Sequence, residues 1–171
     1  MDRLIRLSEK SPFSNFDISK VIDCNLIRYE QLADYKTIDE IFRNDACIIL
    51  QQQTRSYGHW VILTRHHNLI EYFCSYGSYP DELFDKFAYQ KKYCDKYLSI
   101  LLANYLAKGS GVLRYSPYRL QKSSLRTQTC GRWCAMRYFF KSIPIKQFAK
   151  LFINQKFPSD WYCSALTMFI G

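Results

Sequence analysis

The pattern of apolar and polar residues predicts a β-sheet in the middle of the chain. Residues 46–50 form a continuous apolar run, which is typical of a strand covered on both faces. Two further runs, 59–64 and 69–74, are rich in β-branched and aromatic residues and are separated by the polar residues 65–68. This arrangement predicts a β-hairpin beside the buried strand.

Helical patterns lie on either side of these strands. An apolar stripe with helical spacing begins at Cys130 and continues to about residue 141, before Pro144. Residues 37–43 predict a short helix in which Thr37 and Glu40 form a capping box. The remaining predictions are an interrupted helical stretch at 80–108, a short strand at 112–115, a loop at 116–129 and helices at 145–154 and 159–169.

These elements predict an α+β fold with a small central mixed or antiparallel sheet flanked by helices. The length of 171 residues fits a single domain, 1–171. Residues 1–35 have weak periodicity and predict an N-terminal arm with a short helix. The residues that could carry chemistry lie in the middle and later parts of the chain.

Composition and charge narrow the function classes. We expect no membrane span and no secretory signal, because no apolar run approaches ~20 residues and residues 1–6 lack an apolar region. The seven cysteines are an odd number, so we expect reduced thiols. The net charge of +9 indicates either an anionic partner or only a solvated basic surface. The basic residues of the central region are Lys91, Lys92, Lys96, Arg114, Arg119, Lys122, Arg126, Arg132 and Arg137.

Candidate chemistry concentrates where the 116–129 loop meets the helix at Cys130. A cysteine in the first turn of a helix meets the positive end of the helix dipole, which favours the thiolate. His59 on the neighbouring strand could accept its proton, and the amide of Gln121 could donate to an oxyanion. These are the parts of a thiol hydrolase, although a cysteine at a helix start is more often structural.

The predicted hairpin allows a geometric test. A turn centred on His66 and His67 places His59 opposite Cys74, with the Cβ atoms roughly 5 Å apart. Glu71 then points to the other face of the sheet. The group that should orient the imidazole is therefore a thiol, where a triad would have a carboxylate.

Four motifs follow one another along the chain: Gly58-His59-Trp60, Glu71 to Gly77, Leu120-Gln121 and Thr129-Cys130-Gly131-Arg132-Trp133. In this order they resemble the adenain-like cysteine proteases, which include the adenovirus protease, SUMO-specific proteases and maturation proteases of large DNA viruses and virophages. The resemblance covers about 46–141, which it implies to be the catalytic core, and it implies a papain-like arrangement with the nucleophile at a helix N-terminus. It implies that Cys130 is the nucleophile, His59 the general base and Gln121 the oxyanion-hole glutamine, with Trp60 packed beside the site.

The chain departs from this family at two positions. Cys74 stands where members usually carry Asp, Glu or Asn, so the site could be a Cys-His dyad, could recruit Glu71 or Asp81, or could be impaired. Gln121 is somewhat further before the nucleophile than is usual, which leaves Gln128 as the less favoured alternative.

A zinc site is the alternative chemistry for the cysteines. Cys130 and Cys134 are four residues apart and could in principle bind zinc together with His66 and His67. No CxxC pair is present, however, and the two histidines fit a hairpin turn. We therefore expect no metal and no required cofactor.

The resemblance implies a viral cysteine endopeptidase that processes capsid or core precursor proteins during virion maturation. We expect those precursors as substrates, viral DNA as an optional activator, a monomer, and a location in the virion and in the host cytoplasm or viral factory. One alternative is a protease for ubiquitin-like or SUMO-like modifiers. The other is a non-catalytic relative that binds nucleic acid or protein.

Overall fold

The computed structural model describes residues 1–123, 127–168 and 170, and its centre is a five-stranded mixed sheet. The strands lie in sequence order across the sheet. The two outer pairs are parallel and the two inner pairs antiparallel. The strands are β1 (Asn25–Arg28), β2 (Ala46–Gln52), β3 (Gly58–His66), β4 (Leu69–Phe73) and β5 (Val112–Tyr115).

Helices cover both faces of this sheet, which confirms the predicted α+β class. All seven residues of β2 are buried, as its apolar run predicts. On one face Ile48 packs in a cluster with Trp133 and Phe148, and on the other Ile49 packs in a cluster with Leu98. The helices are α1 (Asp2–Lys10), α2 (Asn15–Val21), α3 (Ala88–Tyr93), α4 (Tyr97–Ala107), α5 (Cys130–Phe139), α6 (Ile145–Lys150) and α7 (Ser159–Thr167), with 3₁₀ helices at Tyr29–Asp34, Ile38–Ile41 and Phe84–Lys86.

The first 28 residues form more regular structure than the predicted arm with a short helix. They contain α1, α2 and the edge strand β1, which pairs in parallel with β2. Ser14 caps α2 in a capping box with Asp17, and α1 packs against α7. Strand β1 has only four residues, and only Ile27 is buried, so its sequence carries no clear strand periodicity.

The hairpin forms, but its predicted register is wrong by two positions. Ile62 pairs with Phe73 instead of Glu71, and His66 pairs with Leu69, so the two-residue loop is His67 and Asn68. His67 adopts a left-handed conformation with φ of 53°, as a tight turn between antiparallel strands requires. As a result, β4 ends at Phe73 and Cys74 follows the strand instead of lying in it.

The predicted helix at 37–43 is also shorter than expected. It is a 3₁₀ helix of four residues, Ile38–Ile41. The Thr37 hydroxyl donates to the Glu40 side chain at 3.0 Å and makes no cap to the backbone, and the Glu40 carboxylate accepts from the Lys36 N–H at 3.2 Å, so the expected capping box does not form.

Candidate active site

Cys130 is the first residue of α5, as the sequence predicts, and it is partly exposed in a cavity. Burial raises the pKa of its thiol above the usual value, and the carboxylate of Asp160 adds to this effect. Backbone N–H groups of Trp60 and Gly131 oppose this shift, because they donate hydrogen bonds that stabilise the thiolate. The sulfur therefore has preformed donors around it but is held as a thiol near neutral pH.

His59 lies on β3 with its Nε2 atom 3.3 Å from the Sγ atom of Cys74. Burial lowers the pKa of His59 to about 3, since the ring is only 3% exposed. Burial likewise raises the pKa of Cys74 to about 11, although the backbone N–H groups of Tyr76 and Ser78 stabilise its thiolate. At neutral pH this is a pair of neutral groups.

The structure brings Cys74 to the imidazole and neither of the two carboxylates considered above. Glu71 forms a buried ion pair with Arg137, in which the guanidinium donates at 2.7 Å. Asp81 accepts hydrogen bonds from the Tyr29 hydroxyl and the Ser99 backbone N–H, both at 2.8 Å. Neither acid makes a hydrogen bond to His59.

Cys130 and His59 lie on two elements that pack together, although His59 itself is not among the residues that line the cavity of Cys130. Helix α5 packs against β3, and the backbone N–H of Trp60, next to His59, donates to the sulfur of Cys130. The charge of a Cys130 thiolate also acts on both Cys74 and Tyr76, the two side chains that touch the imidazole. No hydrogen bond joins Cys130 to His59 directly in the described part of the chain, and Nδ1 of His59 has no partner there.

Gln121 is buried and lines the same cavity as Cys130. Its Oε1 accepts a hydrogen bond of 2.6 Å from the Ser75 hydroxyl. Its Nε2 donates to the Thr127 carbonyl at 3.3 Å and to the Tyr76 hydroxyl at 3.4 Å. Gln128 lines the cavity as well, so both glutamines remain near the thiol.

The cavity beside Cys130 has a volume of about 230 Å³, and the N-terminal segment forms one wall of it. Phe13 belongs to that wall, and its carbonyl oxygen would lie 2.6 Å from a Cβ atom at position 131. Gly131 is therefore needed for the close approach of this segment. Nothing in the sequence near Phe13 indicated a place in the site.

Asp160, on α7, is a buried residue that the sequence reasoning missed. Its carboxylate accepts hydrogen bonds from the Thr129 hydroxyl, from Trp133 Nε1 at 2.9 Å and from the Lys122 backbone N–H at 2.8 Å. It therefore joins the start of α5 to the segment that carries Gln121. In the sequence it looks only like an acid in the first turn of a helix, which the helix dipole favours.

The structure assembles no metal site from the residues of the zinc hypothesis. Among residues 1–123, 127–168 and 170, no three His, Cys, Asp or Glu side chains are grouped as metal ligands. His66 and His67 lie at the hairpin end with ring centroids 4.6 Å apart, and Cys134 is buried in the apolar core. In the same part of the chain, no helix is long and apolar enough to cross a membrane.

The basic residues of the central region differ in their exposure to solvent. Arg132 and Arg137 are buried, so they are unavailable to an anionic partner. Arg126 lies outside the described residues. The remaining six are exposed: Lys91, Lys92, Lys96, Arg114, Arg119 and Lys122.

Comparisons with known proteins assign the chain to a family. No protein-family model matches the chain. Two crystal structures of the ASFV pS273R protease, one with selenomethionine, are similar at TM-scores of 0.48 and 0.46 with 13% and 12% identity. They cover 96% and 95% of this chain, which spans 66% and 65% of theirs. The Uncharacterized protein V9 of Sputnik virophage is 36% identical over 154 residues, or 85% of this chain and 86% of V9. The chain therefore belongs to the same family as the Sputnik virophage protein V9.

Proposed function

We propose that the chain is a cysteine peptidase with Cys130 as nucleophile, His59 as general base and Gln121 as oxyanion donor. The observation that carries this proposal is the arrangement around one cavity. Cys130 begins a helix beside the strand of His59, and the amide of Gln121 lines the same cavity. Cys74 occupies Nε2 of the imidazole, which leaves Nδ1 for the thiol proton.

In this mechanism the sulfur of Cys130 attacks the carbonyl carbon of the scissile bond as its proton passes to Nδ1 of His59. The negative charge on the carbonyl oxygen is stabilised by Nε2 of Gln121 and by backbone N–H groups at the start of α5. Collapse of this intermediate expels the amine, which takes the proton from His59, and leaves a thioester. Water then attacks the thioester with His59 as base, and Cys130 is released as a thiol.

We propose capsid or core precursor proteins as the substrates, with viral DNA as an optional activator of a monomeric enzyme in virions and viral factories. Family membership with a virophage protein supports a viral setting. The six exposed basic residues of the central region and the net charge of +9 support attraction to a polyanion.

The test is incubation of the purified chain with the capsid precursor of its virus, followed by gel electrophoresis and mass spectrometry. Cys130→Ala and His59→Ala should abolish cleavage, and Gln121→Ala should lower turnover about 10²-fold or more. Cys94→Ala is a matched control, because Cys94 is also partly exposed but packs against the core cluster on the other face of the sheet. Cleavage that survives Cys130→Ala would refute the proposal.

A non-catalytic relative that binds protein or nucleic acid is the second candidate, and the neutral state of the site favours it. The pKa of His59 is about 3 and that of the Cys130 thiol is raised, so the resting pair carries no charge. Alkylation by iodoacetamide at neutral pH separates the two candidates. In a peptidase, Cys130 should react faster than Cys94, and His59→Ala should remove the difference.

A further inference from the structure

The two residues that follow Cys74 contact two of the side chains of the proposed site. Ser75 donates its hydroxyl hydrogen to Oε1 of Gln121, and both residues are 1% exposed. The ring of Tyr76 stacks on the ring of His59, with centroids 4.4 Å apart and planes 18° apart. A short segment after β4 therefore reaches both the proposed base and the proposed oxyanion donor.

The contacts of Gln121 determine which end of its amide faces each neighbour. The Thr127 carbonyl can only accept a hydrogen bond, so the amide end beside it at 3.3 Å is the NH₂ group. The other end is then the oxygen, and the Ser75 hydroxyl donates to it at 2.6 Å. The backbone adds to this contact, because the Ser75 carbonyl accepts from the N–H groups of Leu120 and Gln121 at 2.9 Å.

The two hydrogen bonds made by the NH₂ group are long, at 3.3 and 3.4 Å, whereas the bond to its oxygen is short. Long bonds are weak, so the nitrogen can exchange them for an oxyanion without a large loss. The short bond to Ser75 prevents the amide from rotating and presenting its oxygen to the cavity. An oxygen in that place would repel the developing negative charge.

Tyr76 contacts both Gln121 and His59. Its hydroxyl accepts from Nε2 of Gln121, and burial raises the pKa of this hydroxyl to about 12, so it stays neutral. Its ring covers one face of the imidazole while Cys74 holds Nε2. Together these contacts leave the imidazole of His59 little freedom to rotate.

We propose that Ser75 and Tyr76 are positioning residues: Ser75 fixes the amide of Gln121 with its nitrogen towards the cavity, and Tyr76 fixes the plane of the His59 ring. This inference rests on the proposed peptidase function. It assigns a role to two residues of which neither touches the reacting atoms.

A double-mutant cycle on the full chain, with the capsid precursor as substrate, tests the role of Ser75. Ser75→Ala should lower kcat about tenfold with KM unchanged, because a freed amide is misoriented part of the time. In the Gln121→Ala background the same change should alter kcat less than about twofold, since Ser75 acts through Gln121. Ser164→Ala is the matched control, because its buried hydroxyl has no hydrogen-bond partner in the described residues and should change neither constant.

Tyr76 is tested by the alkylation of Cys130 with iodoacetamide, which does not depend on Gln121. Tyr76→Leu removes the ring that stacks on His59. Because His59 is the proposed base for the thiol, this change should slow alkylation of Cys130 at pH 7 by about threefold or more. Tyr76→Phe keeps the ring and should leave alkylation unchanged. Equal rates for wild type and Tyr76→Leu would overturn the role of Tyr76.

The NMR signals of the Gln121 side-chain NH₂ group give a readout that needs no substrate. Ser75→Ala should shift these signals and speed their hydrogen exchange, while Ser164→Ala should not. Unchanged signals, or an equal loss of kcat with and without Gln121, would overturn the role of Ser75. A wild-type chain that cleaves no precursor would instead overturn the proposed function, while the NMR comparison would still decide how Gln121 is oriented.

Discussion

Replacement of Cys74 by aspartate should turn the neutral pair at the imidazole into a charged one. The Sγ atom of Cys74 is 3.3 Å from Nε2 of His59, and the pKa values of about 11 and about 3 keep both groups uncharged. An aspartate side chain is only slightly longer than cysteine and can accept the Nε2 hydrogen. The backbone N–H groups of Tyr76 and Ser78 already point at this position and stabilise a negative charge there.

The size of the effect follows from the two kinds of hydrogen bond. A neutral hydrogen bond contributes about 0.5–1.5 kcal/mol and one to a charged group about 1.5–3 kcal/mol. The imidazolium should therefore gain about 1–2 kcal/mol, which raises the pKa of His59 by roughly one unit. The same energy corresponds to a rate increase of about 5- to 30-fold at neutral pH if His59 is the base for Cys130.

The assay is the pH profile of Cys130 alkylation by iodoacetamide, read by peptide mass spectrometry between pH 5 and 9. In the wild type the rate at pH 7 depends on proton transfer to the neutral His59, and it should rise further towards the pKa of the Cys130 thiol, which burial raises above its ordinary value of 9.0. In Cys74→Asp the carboxylate stabilises the positive charge that develops on His59 as it takes the thiol proton, so the rate at neutral pH should be about 5- to 30-fold higher. Cys74→Asn has the same shape without the charge, and it should fall between the two.

Equal profiles for Cys74→Asp and Cys74→Asn would refute this reasoning. The charge at position 74 would then not reach the sulfur, and His59 would not be the base that takes its proton. A loss of folding in the aspartate variant is checked by thermal unfolding, and the asparagine variant still tests the contact in that case.

Three further predictions concern the packing that holds the site. Arg137→Met should lower the free energy of unfolding by about 3–5 kcal/mol, because it leaves the charged Glu71, which is 5% exposed, without its partner. In urea unfolding, the double variant that also carries Glu71→Leu should be close to wild type. Gly131→Ala should lower the melting temperature and disturb the Cys130 cavity, since the new Cβ would lie 2.6 Å from the Phe13 carbonyl oxygen; an unchanged melting curve would contradict the close contact. The free energy of unfolding should fall as the pH falls from about 6.5 towards 3, because His59 is protonated in the unfolded chain over this range but not in the folded chain. In urea titrations at several pH values, His59→Gln should reduce this dependence of the unfolding free energy on pH.

The sequence predicted β2 to β5 and the helix that begins at Cys130 because their signals are local. The run 46–50 is apolar at every position, and the structure buries all of β2. Cys130 begins a helix as predicted, since the apolar stripe starts there after a polar loop. The register of the hairpin could not be read in the same way, because it depends on the left-handed conformation of His67.

The contact between His59 and Cys74 was nonetheless predicted correctly, although for a reason that does not hold. The corrected register moves Phe73 opposite Ile62, and Cys74 leaves the sheet after this pair. A turn closed by a hydrogen bond of 2.9 Å from the Gly77 N–H to the Cys74 carbonyl follows, and the sulfur of Cys74 lies 3.3 Å from Nε2 of His59. The wall formed by Phe13 had no such signal, because it depends on packing between distant parts of the chain.

The neutral state of the site bears on how a peptidase built this way would react. A preformed pair of thiolate and imidazolium requires a base with a pKa near that of the thiol. Burial instead lowers the pKa of His59 and raises that of Cys130, so the two groups rest in their neutral forms. On the proposed mechanism the proton must therefore move to His59 while the sulfur attacks, and the charge that develops lies on the carbonyl oxygen. The oxyanion donor then contributes more to the rate than in an enzyme with a preformed ion pair, because it stabilises the charge that the resting site lacks. The rigid attachment of Gln121 to Ser75 matters for this reason.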